Sequence, residues 1–161
     1  MTGHELLTGR CTCGEIRYEL TNHPLFVHAC HCTWCQRETG SAFVMNALIE
    51  TACVNLLAGT PDVVLTPSSS GLGQKIHRCP TCKIALWSVY SGAGEAFRFV
   101  RVGTLDDPNA CPPDIHIFTS NKQDWVILPQ GTPAVPEYYD RAKYWPPEAL
   151  ARRTAVLSQL A

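Results

Sequence analysis

The sequence lacks any apolar run long enough to cross a bilayer. Its most apolar stretch, "AFVMNALI", is far shorter than the roughly 20 residues that a spanning helix needs. The opening "MTGHELLTGR" has no long apolar core of the signal-peptide kind, so a cytoplasmic protein without a membrane partner is expected. A strong charge of either sign is also missing. The formal net charge is −1 and the pI is near 6.6, which gives no cationic field for a phosphate backbone and argues against nucleic acid. With 17% charged and 45% hydrophobic residues in 161, the chain reads as one globular domain with a real core.

Cysteine, by contrast, is plentiful. The nine are Cys11, Cys13, Cys30, Cys32, Cys35, Cys53, Cys79, Cys82 and Cys111, and seven of them fall into tight clusters. An odd count, the missing export signal and the strain of a bridge between Cys11 and Cys13 argue for metal over a disulfide framework.

The pattern along the chain is mostly β. "GEIRYEL" alternates Ile16, Tyr18 and Leu20 with Glu15, Arg17 and Glu19, as a strand with one wet face does. "SAFVMNALI", "VVLT", "ALWSVY", "AFRFVRVGTL" and "DWVIL" read as further strands. "AGTPD", "TPSSSGLG", "SGAGE", "DDPN" and "SNKQD" carry the turn residues between them. One helix is expected in "PPEALARRTAVLSQLA", with Pro147 in its first turn and Glu148 near the positive end of its dipole. Its rough apolar stripe, Ala149, Leu150, Val156, Leu157, Leu160 and Ala161, suits docking on the sheet. The arm before it, "AVPEYYDRAKYWPPE", wraps the domain or else covers the interface of a homodimer. The expected division is a zinc-binding β domain over residues 1–135, with the arm and helix of 136–161 packed on it.

The clustered cysteines count as two in "CTC", three in "CHCTWC" and two in "CPTC". A closed structural zinc takes four thiolates, and a catalytic zinc takes three protein ligands with one position open. The economical partition joins Cys11 and Cys13 to Cys79 and Cys82, and leaves Cys30, Cys32 and Cys35 with a metal of their own. Other partitions stay open at this point: the second and third groups sharing a metal, or His28, His31, Cys53 or Cys111 completing a site. His31 would point away from Cys30 and Cys32 if residues 30–32 are extended, which suits a neighbour of the ligands better than a ligand. Cys53 reads as a small buried hydrophobe and Cys111 as a loop thiol. Lys83 stands where a glycine would adopt a left-handed turn without penalty, at a cost of about 1 kcal/mol, and its ammonium is expected near the four-thiolate centre.

The blocks "GRCTCGEIRYEL", "HACHCTWCQRETGSAFVMNALI", "HRCPTCKIALW", "VRVGTLDDP" and "PDIHIFTSNKQDW" resemble, in order, those of the glutathione-dependent formaldehyde-activating enzyme family, which includes centromere protein V. The resemblance implies a mainly β, zinc-bound β-tent fold of several small antiparallel sheets, shared with Rab exchange-factor chaperones. It implies two zincs per chain, a structural one on Cys11, Cys13, Cys79 and Cys82 and a labile catalytic one on Cys30, Cys32 and Cys35. Lys83, and the chain's own C-terminal arm and helix, depart from the family pattern.

An open three-thiolate zinc favours a soft ligand, and a thiol entering it would ionise at neutral pH. The expected chemistry is that of a carbon–sulfur lyase, adding glutathione or another small thiol reversibly to formaldehyde or a related aldehyde. In the alternative, zinc activates water or the carbonyl. Gln36, Arg37, Thr39, Gly40 and Ser41 flank the cluster. Arg37 is a candidate for a substrate carboxylate, Gly40 for close backbone approach, and Ser41, His116 and Lys122 for the pocket border. Trp34, Trp87 and Trp125 are candidates for core or pocket wall. The rival class is a non-catalytic zinc-bound adaptor module.

Overall fold

The computed structural model describes residues 6–91 and 94–160. Ala161, expected in the apolar stripe, and part of the "SGAGE" turn lie outside the described residues. Ten strands dominate the described residues. Strands β1 (Leu7–Arg10), β2 (Arg17–Leu20) and β5 (Val54–Ala58) form a small antiparallel sheet in the order β1-β2-β5. The larger sheet uses β3 (Phe26–Cys30), β4 (Val44–Glu50), β6 (Asp62–Thr66), β7 (Gln74–Arg78), β8 (Ala85–Tyr90), β9 (Phe97–Arg101) and β10 (Ile115–Ile117). Its order is β10-β3-β4-β9-β8-β7-β6, antiparallel except where β10 runs parallel to β3. The fold is therefore mainly β, as expected, with one sheet larger than foreseen. No helix among the described residues is long and apolar enough to cross a membrane.

The two faces of the larger sheet have different fates because alternate residues of a strand point opposite ways. One face, with Val27, Ala47, Ile49, Trp87 and Val100, packs on Tyr18 and Leu20 of the small sheet and on Ile16 just before β2. Tyr18 and Trp87 meet edge to face with centroids 5.6 Å apart, a favourable arrangement for two aromatic quadrupoles. On the other face, Phe26, Leu48 and Phe97 pack with Trp145 and Ala149 of the C-terminal segment. That segment carries a short helix, α2 (Arg141–Tyr144), and the expected long one, α3 (Pro147–Ser158). Leu150, Val156 and Leu157 of α3 pack against this second core, whereas Leu160 stays exposed.

Several bonds fix the arm and the helix after it. The carbonyl of Pro133 accepts from the His116 N–H at 2.8 Å, and Val135 N–H donates back to the His116 carbonyl at 2.9 Å. On α3, Arg152 grips both carboxylate oxygens of Glu50 at 2.8 and 2.6 Å. A bidentate guanidinium–carboxylate pair of this kind adds geometric specificity to its energy.

"DWVIL" is not a strand. Residues 124–128 run as turn and coil, with Trp125 71% and Ile127 92% exposed, so the apolar run has no sheet neighbour. A further helix, α1 (Thr33–Thr39), starts inside "CHCTWC".

Candidate metal centres and the cavity above one of them

The four-sulfur group forms where two matching turns meet. In each, the first cysteine's N–H donates to a carbonyl five residues on, Cys11 to Ile16 at 3.1 Å and Cys79 to Ile84 at 2.9 Å. Gly14 at φ 78° and Lys83 at φ 62° supply the left-handed residues that close the turns. Backbone N–H groups then point at the sulfurs: Ile16 at Cys11, 3.3 Å, and Cys82 at Cys79, 3.5 Å. Burial opposes ionisation of Cys11, but the Ile16 N–H and the thiols of Cys13 and Cys79 outweigh it and lower its pKa. Backbone N–H groups of Cys13 and Ile84 hold Cys82 down to about 6. Lys83 does have the left-handed backbone foreseen. Its ammonium, however, lies on the exposed side, 3.4 Å from Asp62.

The ligand atoms of Cys11, Cys13, Cys79 and Cys82 all lie within 4.8 Å of one another. Cys11 and Cys13 sulfurs are 3.5 Å apart and those of Cys13 and Cys79 are 3.6 Å apart. A tetrahedral zinc with sulfurs at about 2.3 Å separates them by about 3.7 Å, so the donor set fits that ion.

Cys30, Cys32 and Cys35 form the second group, also within 4.8 Å. Cys30 ends β3, and Cys32 is the N-cap of α1, its sulfur accepting from the Cys35 N–H at 3.4 Å. The helix starts at once, and this brings Cys35 back beside Cys32. The thiols of Cys30 and Cys35 donate toward Cys32 and pull its pKa down to about 2. The same sharing, with burial, drives Cys30 far up. Three thiols this close ionise together only when a cation neutralises them, and soft sulfur donors select zinc-like ions.

Above this group lies a cavity of about 470 Å³. The outer face of the larger sheet is its floor, where the register sets His28, Asn46 and Arg101 abreast on β3, β4 and β9. Leu48, Tyr90, Phe97, Phe99 and Ile117 make it apolar. Arg101 is buried, donating to Asn46 Oδ1 and, at 2.9 Å, to Ser88 Oγ, and its Nε has no hydrogen-bond partner. Ser68, Ser69, Ser70 and Leu72 form one wall, and Tyr138, Arg141 and Arg153 of the C-terminal segment form another.

Several residues singled out in the sequence lie elsewhere. Arg37 and Ser41 are exposed and do not line the cavity, because α1 turns only Trp34, Cys35 and Glu38 toward it. Gly40, at φ 65°, is the left-handed C-cap of α1, donating to the Gln36 carbonyl at 2.7 Å. His116 alternates with Ile117, so it faces away from the cavity, buried, 3.0 Å from Nε2 of His31. His31 belongs to neither sulfur group. Gln36 braces α1 by donating to the carbonyls of His31 and Asn121 at 2.7 and 2.9 Å. Thr39 bonds back to the Cys35 carbonyl, and Lys122 donates to the carbonyls of Gln123 and Val126. Cys53 is half-buried against the first core, and Cys111 is buried within it, deeper than a loop thiol. Of the three tryptophans, Trp87 is core, Trp34 is cavity wall and Trp125 is neither. The serine loop, Arg101, Tyr138, Arg141 and Arg153 carried no local signal, since each is an ordinary residue until the sheet folds.

A mainly β protein with two thiol clusters, one closed by four sulfurs and one of three beneath a cavity, is the class defined here. The family model described as "Glutathione-dependent formaldehyde-activating enzyme" matches residues 6–121, and the chain belongs to that family. A Halomonas elongata protein named "Putative glutathione-dependent formaldehyde-activating enzyme" is 26% identical over 129 residues, 76% of this chain and 81% of that protein. A crystal structure of a Rhodobacter sphaeroides protein is similar at a TM-score of 0.48 and 21% identity, covering 64% of this chain and 93% of the other.

Proposed function

We propose that this chain is a carbon–sulfur lyase of the S-(hydroxymethyl)glutathione synthase type, joining glutathione or another small thiol reversibly to formaldehyde or a related aldehyde. The observation that carries the reading is the three-sulfur group opening into a cavity of about 470 Å³. Cys11, Cys13, Cys79 and Cys82 would hold a structural zinc, and Cys30, Cys32 and Cys35 a catalytic one. Zinc bound by the three cysteines supplies a soft Lewis acid, which favours a substrate thiolate over its thiol at neutral pH.

The chain's own residues do the rest. The apolar wall of Phe97, Phe99, Leu48 and Ile117 keeps bulk water from the reacting sulfur and strengthens each electrostatic contact there. Arg101, buried on that wall with a spare donor, offsets negative charge that collects beside the cysteines. The substrate sulfur attacks the carbonyl carbon, a carbon–sulfur bond forms, and the proton given up by the thiol ends on the new hydroxyl. Reversal breaks the same bond. The nine free thiols suit a reducing compartment such as the cytoplasm.

Glutathione and formaldehyde also combine unaided, so the test is a rate. Exchange between ¹³C-formaldehyde and its glutathione adduct, followed by NMR, should quicken with protein and return to background in Cys35→Ala, with the circular dichroism spectrum kept. An equal rate in Cys35→Ala would overturn the catalytic reading and favour an adaptor.

A further inference from the structure

The family match ends at residue 121, yet Tyr138, Arg141 and Arg153 of the segment beyond it line the cavity. The segment is held in place by several bonds. Tyr139 Oη lies 2.6 Å from His28 Nε2 and accepts from Trp145 Nε1 at 2.8 Å, and the Arg152–Glu50 pair fastens α3 to β4.

Arg141 and Arg153 are unusual for cations in a half-enclosed site. Neither forms an ion pair among the described residues, and the buried Nε of Arg141 has no hydrogen-bond partner. Their guanidinium groups rest on aromatic rings, Arg141 5.2 Å from the centroid of Trp145 and Arg153 6.0 Å from that of Phe97. The acids nearby are engaged otherwise. Glu38, the one carboxylate lining the cavity among the described residues, pairs with Arg78. Asp140 caps α2 through the Ala142 N–H at 3.0 Å, and Glu137 accepts from Ser120 at 2.8 Å. Burial and then the charge of Arg141 both lower the pKa of Arg153, so the two cations feel each other. Two like charges kept together without a counter-ion become favourable once an anion joins them.

We infer that Arg141 and Arg153 form a carboxylate-binding rim, built by this chain's own C-terminal segment, that selects acidic thiols over neutral ones. The inference rests on the cavity being the thiol site. It makes the segment a specificity element, with the sulfur directed to Cys30, Cys32 and Cys35 and a carboxylate at the far end held by the guanidinium forks.

The test is calorimetric titration of the zinc-loaded protein with S-methylglutathione and with its diethyl ester. The thioether sulfur cannot ionise or react, so binding is read without turnover. The acid should bind wild type at least about tenfold more tightly than the ester, about 1.4 kcal/mol, since the ester forfeits the charge-assisted hydrogen bonds. Arg141→Gln and Arg153→Gln should each remove most of that preference and leave the ester unchanged. In turnover, the same variants should raise KM for glutathione with kcat retained, and leave KM for 2-mercaptoethanol alone. Equal affinity for acid and ester in wild type, or an unchanged preference in the folded double variant, would overturn the rim. A preference for the acid that survives without any turnover would keep the rim and sink the lyase.

Discussion

The sulfurs of Cys13 and Cys79, far apart in sequence, lie 3.6 Å apart and join the turn after β1 to the turn after β7. Since β1 belongs to the small sheet and β7 to the large one, a metal shared by these turns clips the two sheets together.

Cys79→Ser should therefore act on stability and not only on metal content. Losing a closed thiolate site removes several kcal/mol of metal-linked folding energy, and the variant should melt well below wild type or fail to fold. Cys35→Ala, at the three-sulfur group, should melt close to wild type. Paired thermal melts and zinc analysis check the contrast.

Gly9→Ala should destabilise the small sheet. A Cβ at Gly9 would sit 2.4 Å from Tyr18 Cζ and 2.8 Å from the Thr104 carbonyl oxygen, and Tyr18 is fully buried with its hydroxyl 2.6 Å from Thr104 Oγ1. Neither backbone nor a packed ring gives way easily, so a loss of about 1–3 kcal/mol is expected in urea unfolding.

Lys83→Gly should move the other way. At φ 62° the lysine backbone is strained, and its ion pair with Asp62 is exposed and worth little. A gain of up to about 1 kcal/mol is expected, read as a higher denaturant midpoint at unchanged slope.

Burial lowers the pKa of His28 to about 4 from 6.5, with the charge of Arg141 acting in the same direction. Between those values the unfolded chain binds a proton that the folded chain refuses. This contribution to stability is intact above pH 6.5 and falls away as pH drops toward 4, by about 3 kcal/mol in all. Melts between about pH 7.5 and pH 5 should show the slope, and His28→Gln should flatten it relative to wild type.

The favoured partition of the seven clustered cysteines was legible because metal ligands come in sets of fixed size, whereas spacing gave only groups of two, three and two and left other pairings open until the fold joined the first group to the third. Strands with one wet face, such as Arg17–Leu20, were legible from alternation. Phe26–Cys30 was not, since it is buried on both faces and does not alternate. The helix Thr33–Thr39 hid because its first three residues belong to the cysteine motif and its seven residues are too short for a periodic stripe. The opposite error came at Trp125 and Ile127, whose apolar, β-prone residues have no neighbouring strand to pair with. The cavity wall was the least legible part. Its residues come from Ser68, Arg101 and Arg141, distant positions that only the sheet order and the returning arm bring together.

The central claim is that the cysteines of "CHCTWC" hold a zinc on which a small thiol can bind. A native mass spectrum of the purified protein, with and without glutathione, for wild type and Cys35→Ala, tests it most directly. The expected result is two zincs per chain and a glutathione adduct in wild type, with one zinc and no adduct in the variant. One zinc and no adduct in wild type would contradict it.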